Sequence, residues 1–253
     1  MEKEIRTIFW TGGWDSTYRM IELSRQDMEV QPIYVIDPER KSTAIEEAAM
    51  KKMLEALRNR PETKAVLDDV IVVSPEEIPE NKEIDEAFEK LVQQVRIGSQ
   101  YIWLAKVAQK YPGIEIGIEK PAGEYNGCVV LIETFGAFLQ KEDTFVLDRT
   151  KATEECRLLF ENISFPIAAI EEVQMVENVK KWGYQDIMKN IWFCHAPVSG
   201  KPCGYCRPCQ QKMECGMEWL LPKSAQLRYH LYKFYRDSRL QTVFRKIKKG
   251  LKG

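Results

Sequence analysis

Short apolar runs alternate with amphipathic stretches along the first half of the chain. The run Ile5-Arg6-Thr7-Ile8-Phe9-Trp10 stops at Thr11-Gly12-Gly13, after which Tyr18, Met20, Ile21 and Leu23 fall at helix-compatible intervals over residues 16–25. This reads as a strand, a glycine turn and a helix. A second run over 30–36 ends at Asp37-Pro38, and Ile45, Ala48, Ala49, Met53, Leu54 and Leu57 then recur at helical spacing over 43–57. Residues 69–73 predict a third strand, 83–95 and 98–109 two helices, and 113–118 a fourth strand after the Tyr111-Pro112-Gly113 turn. Such alternation predicts an α/β protein whose doubly wound, mostly parallel sheet is covered by helices on both faces.

Past Ile118 the pattern predicts a loop over 123–127, a helix over 128–139, a short edge segment at Ile163-Ser164-Phe165-Pro166-Ile167 and a helix over 171–182. A cysteine-rich segment follows, and a pair of helices is expected over 225–249. The expected division is an α/β domain over 1–185, then a metal-binding segment and basic helical C-terminus over 186–253.

With 44% hydrophobic residues the chain can bury a core, and no apolar run reaches the ~18 residues that span a bilayer, so disorder and a transmembrane protein are excluded as classes. The charged start, Met1 to Arg6, lacks a secretory h-region, and a cytoplasmic protein with no membrane partner is expected. The formal net charge of −1 conceals an asymmetry. From residue 223 onward there are ten Lys/Arg against Asp237 alone, which leaves that tail near +9 and the remainder near −10. An acidic or nucleic-acid partner is one reading of the tail. The other is a helix packed through Leu227, Leu231, Phe234 and Tyr235 and solvated on its basic face.

Ligands of open α/β sheets settle outside the carboxyl ends of the strands, and Thr11-Gly12-Gly13-Trp14-Asp15-Ser16-Thr17 occupies the first such turn. Adjacent glycines let backbone N–H groups approach an anion, the helix N-terminus adds a partial positive charge, and Ser16 and Thr17 bring hydroxyls. Phosphate suits this turn; a plain tight turn with an Asp or Ser helix cap is the alternative. Likewise Asp37 is either a ligand contact or a strand terminator before Pro38.

Cys194, Cys203, Cys206 and Cys209 place two Cys-x-x-Cys steps in tandem behind a fourth cysteine. Four thiolates suit tetrahedral Zn²⁺, and a closed site of this kind would be structural. An iron–sulfur cluster or a redox pair uses similar spacing. His195 is expected to be a bystander, and Cys128, Cys156 and Cys215 buried apolar residues.

The turn resembles the PP-loop, Ser-Gly-Gly-x-Asp-Ser, of the ATP pyrophosphatase superfamily, with Thr11 at the first serine. That resemblance implies ATP and Mg²⁺ as cofactors, with phosphates on Thr11, Gly12, Gly13, Ser16 and Thr17, the metal or loop held by Asp15, and adenine at the backbone of Ile36 and Asp37. The turn together with Cys194, an eight-residue spacer and Cys203-Gly204-x-Cys206-x-x-Cys209 resembles the 7-cyano-7-deazaguanine synthase family, the QueC-like proteins. Phe165-Pro166-Ile167 stands at that family's Thr-Pro-Leu, and Ile116-Gly117-Ile118-Glu119 at its Ile-Gly-Val-Asn strand. The base-holding loop after that strand differs here; Glu119, Glu124 and Tyr125 are its candidate substrate contacts, with solvated loop carboxylates as the alternative for the two acids. Glu172 and Lys212 stand where the family has Lys and Arg. Arg96, before Gly98-Ser99-Gln100, lies near the family's nucleotide-covering segment and joins Asp15 and Ser16 as an implied catalytic residue.

The resemblance implies a ligase that adenylates the carboxylate of a 7-deazaguanine base and lets ammonia or another amine displace AMP, giving an amide or nitrile. Relatives in bacterial antiviral defence clusters imply a protein end as one such amine, and the superfamily implies a homodimer. The alternatives are a PP-loop tRNA-modifying enzyme and a non-catalytic zinc-binding module that senses nucleotide.

Overall fold

In the computed structural model, which describes residues 4–38, 40, 42–120 and 127–237, two units form, Met1–Trp192 and Phe193–Gly253. The first begins β1 (Ile5–Phe9), α1 (Trp14–Ser24), β2 (Glu29–Val35), α2 (Thr43–Arg58). It continues β3 (Val66–Leu67), β4 (Ile71–Val73), α3 (Lys82–Val92), α4 (Gln100–Ala108), β5 (Ile114–Ile116), α5 (Cys128–Phe135), β6 (Phe138–Lys141), β7 (Thr144–Leu147), α6 (Glu154–Phe160), β8 (Ile163–Ser164), α7 (Glu172–Trp182) and α8 (Gln185–Met188). The sheet order is β3-β2-β1-β5-β8-β7-β6, with β4 also on β2. All pairings are parallel except β6–β7 and β7–β8, so the sheet is mostly parallel, as its alternating pattern predicts.

Side chains of a strand point alternately to opposite faces, and β2 uses both. Ile33 and Val35 join Phe9 and the apolar sides of α3, α4 and α6 in one cluster. Tyr34, between them, turns to the other face and donates its hydroxyl to Glu46 of α2 at 2.7 Å. On α3 the buried residues Ile84, Ala87, Phe88 and Leu91 follow the 3/4 helical interval, and Asn81 caps the helix by accepting from the Ile84 N–H. Each large apolar side chain so buried contributes about 1.5–3 kcal/mol.

Three expectations are corrected. The strand expected over 69–73 is shorter, Ile71–Val73, and a separate strand precedes it at Val66–Leu67, because β2 advances from Val30 to Ile33 while its neighbour goes from Leu67 to Ile71, one residue further. That extra residue breaks the ladder as a bulge, held by Arg58, which donates to the Leu67 carbonyl and to Asp69. The helix expected over 128–139 stops at Phe135, since Gly136 is extended and a side chain there would press on Leu147 and Ala152. Phe138 then starts a hairpin that turns at Glu142, which adopts φ 48. The segment at 163–167 is interior, not an edge: β8 lies between β5 and β7, and Phe165 and Ile167 are fully buried. Pro166 sits just past the paired residues and takes no ladder bond.

Residues 186–192 stay with the first unit, beyond the 185/186 boundary read from the sequence. α8 packs with α1 and α2, and the Trp192 N–H donates to the Gly12 carbonyl at 3.0 Å. No described helix is long and apolar enough to cross a membrane.

The second unit contains α9 (Arg207–Glu214) and α10 (Lys223–Asp237). α10 packs through Ala225 and Tyr229, and here the sequence reading is overturned: Leu227, Leu231, Phe234 and Tyr235, expected to pack, are exposed. The expected second tail helix, to residue 249, lies outside the described residues, as does most of the loop over 123–127.

Candidate functional site

β1 is flanked by β2 on one side and β5 on the other, so the chain reverses its winding at β1 and leaves a crevice at the carboxyl ends of β1 and β5. Three segments leave the sheet there: Thr11 to Thr17 after β1, Ile36 and Asp37 after β2, and Gly117 to Glu119 after β5. Gly12 has φ +67, a conformation that favours glycine, and a Cβ on it would stand 3.0 Å from Met50 Cγ. Gly13 caps α1 with no side chain accepting from the first turn, so the Asp or Ser cap considered from sequence does not form. Ser16 is buried, its Oγ accepting weakly from the Thr11 N–H at 3.4 Å and standing 3.5 Å from Thr11 Oγ1. Thr17 is fully buried and its Oγ1 accepts from the Trp10 indole at 3.0 Å, so it ties α1 to β1.

Gly117 follows β5 directly, and the sequence pattern gives it no role. A Cβ there would lie 2.7 Å from the Ser16 nitrogen and 2.8 Å from the Asp15 carbonyl carbon, so the end of β5 rests against the first turn of α1. A glycine directly after a central strand is the signal that could have marked it.

Asp15 is half-buried and lies close enough to Tyr101, in the first turn of α4, to act on it electrostatically. Burial, then Cys128, then Asp15 among lesser influences hold the Tyr101 hydroxyl well above its ordinary value. Burial likewise pushes the Cys128 thiol up. Arg96 is exposed on the connection from α3 to α4. The Ile36 N–H already donates to the Val73 carbonyl at 2.9 Å, which leaves that donor committed to the sheet rather than to a base. Asp37 pairs with Arg40 at 3.3 Å, and Arg40 reaches Glu46, which also accepts from Tyr34 and Ser42. Glu119 is half-buried, while Glu124 and Tyr125 lie outside the described residues.

Beneath the turn, Arg19 of α1 makes a bidentate pair with fully buried Glu115 of β5, both contacts at 2.8 Å. Opposite charge keeps the guanidinium protonated even in this buried position.

In the second unit the four cysteine sulfurs all lie within 4.8 Å of one another, with Cys203–Cys209 and Cys194–Cys206 at 3.9 Å. Thiolates at ~2.3 Å around one tetrahedral zinc would stand about 3.8 Å apart, so the cage fits a single ion of that size. A cluster of several irons would need its sulfurs further apart. Backbone N–H groups point at the sulfurs: Cys203 N–H donates to Cys194 Sγ at 3.2 Å, and Cys206 and Tyr205 N–H donate to Cys203 Sγ at 3.2 and 3.4 Å. Sharing with its sulfur neighbours, Cys194 first, holds the Cys206 thiol far down. The Cys194 thiol is pushed up to about 11, chiefly by the Cys206 sulfur. Gly204 has φ +87 and a Cβ on it would fall 2.0 Å from the Ala225 carbonyl oxygen, so α10 closes directly on the knuckle. Arg228 fastens it there, donating to the carbonyls of Cys203 at 2.7 Å and Pro202 at 3.0 Å.

No protein-family model and no curated protein matches the chain. The site therefore rests on its own geometry. That geometry brings Thr11 to Thr17, Ile36, Asp37 and Glu119 to one end of the sheet and gathers the four cysteines. His195 is exposed, Cys128 and Cys156 are buried as expected, and Cys215 is half-buried.

Proposed function

We propose that the chain is an ATP-dependent ligase of the PP-loop type, which adenylates a carboxylate on a 7-deazaguanine base and passes it to ammonia or another amine. The observation that carries this reading is the glycine turn at the switch point of the sheet, closed from the side by Gly117 against the first turn of α1. A carboxylate oxygen leaves only once it is esterified to a better leaving group, and the pyrophosphate released in forming that ester must be held. In this reading the first turn of α1 and the Ser16 hydroxyl bind the phosphates, Asp15 would hold Mg²⁺, which would neutralise phosphate charge, and Arg96, exposed on the α3–α4 connection, is the proposed cation for the nucleotide. Thr17 acts differently from the sequence expectation, by fixing α1 through Trp10 rather than by meeting phosphate. With the Ile36 N–H committed to Val73, adenine recognition at the backbone of Ile36 and Asp37 would fall to the Ile36 carbonyl, beside the Asp37–Arg40 pair. Zinc on the four cysteines, with no open position, would hold the second unit together and take no part in the reaction.

Sulfur transfer to tRNA has less support. Among the described residues Cys128 is the thiol that meets Tyr101, and a buried thiol pushed up in this way is a poor nucleophile.

The test is mass spectrometry of the zinc-loaded protein incubated with Mg-ATP, 7-carboxy-7-deazaguanine and ammonium, following AMP and the base together. Amide or nitrile together with AMP is expected. AMP without base conversion would retain the activation step and refute the substrate, and no AMP under any pairing would refute the ligase. Asp15→Ala should abolish AMP formation with an unchanged melting temperature; retained turnover would remove Asp15 from the site.

A further inference from the structure

A cavity of about 710 Å³ opens in the first unit alongside α1, from Arg19 to Gln26. The α2–β3 connection, the β6–β7 turn and the chain at both ends of α7 complete its wall. None of Thr11 to Thr17, Ile36, Asp37, Arg96 or Glu119 lines it, so it is a second site and not an extension of the crevice at the glycine turn. Its volume suits a small organic molecule.

Charge is sorted along this cavity. At the Arg19 end three carboxylates, Glu115, Glu22 and Asp143, share two guanidiniums, Arg6 and Arg19, at 2.8–3.6 Å. Arg6 also pairs with Glu4, so this end keeps a surplus of negative charge. Asp143 has only the longest of these contacts, at 3.5 and 3.6 Å, and is exposed, which leaves its carboxylate the readiest to take another cation.

The other end is cationic. Arg25 and Lys64 make no ion pair among the described residues. The Arg25 guanidinium carbon lies 4.7 Å from the centre of the Trp182 ring, and Trp182 stacks in turn on Tyr18 at 5.5 Å, so the planar fork is held in place with its N–H groups unspent. Lys64 is kept beside it, because its backbone N–H donates to the Ser24 carbonyl at 2.8 Å. Exposed Glu62 opposes one of these two cations and leaves the other. Arg25 caps α1 in a helical conformation, and at ~1.5 Å per residue it stands about 9 Å along the axis from Arg19. Pro166, Ile170 and Trp182 add apolar surface to the same wall. A simple anion or a simple amine would use one end and leave the other end's surplus charge unanswered.

We propose that this cavity binds a small zwitterion of the ω-amino-acid type, with its carboxylate on Arg25 and Lys64, its ammonium on Asp143, and an apolar spacer against Trp182. The site is independent of the ligase reading, since no residue of the crevice takes part.

Isothermal titration of the full-length, zinc-loaded protein with glycine, 4-aminobutanoate and 6-aminohexanoate tests it, with hexanoate and hexylamine as single-charge controls. The better of the two spaced amino acids should bind at least about ten-fold more tightly than glycine and than either control. Arg25→Gln and Asp143→Asn should each weaken that binding about ten-fold, with melting temperature and zinc content little changed, because neither side chain is buried. No binding by any of the amino acids overturns the proposal, as does binding that either variant leaves intact or glycine binding as tightly as the spaced acids. Hexanoate binding as tightly would overturn it in favour of an anion site, and hexylamine binding as tightly in favour of a cation site.

Discussion

The glycine turn and the cysteine knuckle are both small backbone devices, yet they are held in place by opposite means. The turn is framed by large buried side chains: Trp10 bonds Thr17, Met50 covers Gly12, and Gly117 abuts Ser16, all on a sheet with apolar cover on both faces. Its shape comes from the core and needs no ligand. The knuckle sits in a unit whose described elements are two α-helices, one short 3₁₀ turn and a run of loops, with four sulfurs at the centre. Thiols so close together cannot all ionise without a cation among them, so a metal ion held there would set its shape. In the proposed reading, a preformed site in the first unit would bind and release its ligand during turnover, whereas a second unit built around a metal ion would not release it and remain folded.

Removal of the metal should separate the two most widely. Structural zinc in small domains contributes about 10 kcal/mol or more, and unit 2 has little else to replace it. Chelation should abolish amide-exchange protection over residues 193–237 and leave β1, β2 and β5 protected. Equal loss in both units would show that they share one stability and would break the comparison.

Next in size is the buried pair under the turn. Arg19→Met would strip both 2.8 Å contacts from buried Glu115 and leave it only Arg6 at 3.3 Å, at a cost of up to about 3–5 kcal/mol, and the combined Arg19→Met, Glu115→Met variant should recover part of it. Urea midpoints of the single and double variants measure this. If the single and double variants lose the same stability, the pair does not act as a unit.

Two glycines then compare the regions directly. Gly204→Ala forces a Cβ onto the Ala225 carbonyl from a left-handed backbone and should cost roughly 3 kcal/mol or more, read as weaker zinc retention against a competing chelator. Gly117→Ala meets the first turn of α1 from an ordinary conformation and should cost about 1–3 kcal/mol, with phosphate-ligand affinity falling more than stability does. An alanine at 117 that leaves both unchanged would mean the end of β5 does not shape the turn.

The two regions also differed in how far the sequence revealed them. The knuckle was legible because its chemistry lies within sixteen consecutive residues, from Cys194 to Cys209, and four sulfurs at that spacing have few uses. The strand–turn–helix start was legible because period and glycine punctuation agree over 5–25. What escaped was long-range. Gly117 matters only because β5 lies beside β1, Ile36 is committed only because β4 pairs with β2, and neither adjacency has a local signature. The hairpin over 138–147 was missed because the apolar run through Phe135 reads on as helix, and only Gly136 interrupts it. In α10 the 4/3 spacing was correctly read as a helical stripe, but periodicity does not say which stripe faces inward; the smaller Ala225 and Tyr229 side packs and the Leu227 side does not.

The smallest effect concerns charge at the edge of the first unit's core. Burial raises the Glu22 carboxyl above its ordinary value of 4.5, against the opposing pull of Arg19, which donates to it at 3.3 Å. A carboxyl raised in the folded state binds its proton more tightly there than in the unfolded chain. Between the ordinary and the raised value the native state therefore carries more protons, and stability falls as pH rises through that window. Glu22→Gln keeps an acceptor for Arg19 and removes the titration. Its urea midpoint should match the parent at about pH 4 and exceed it slightly by pH 7, a gap that opens just above the usual carboxylate range. Parallel curves would mean that Arg19 fully offsets the burial, and that the first unit handles its interior charge by pairing alone, leaving the cation-dependent cluster of the second unit as the more sharply contrasting case.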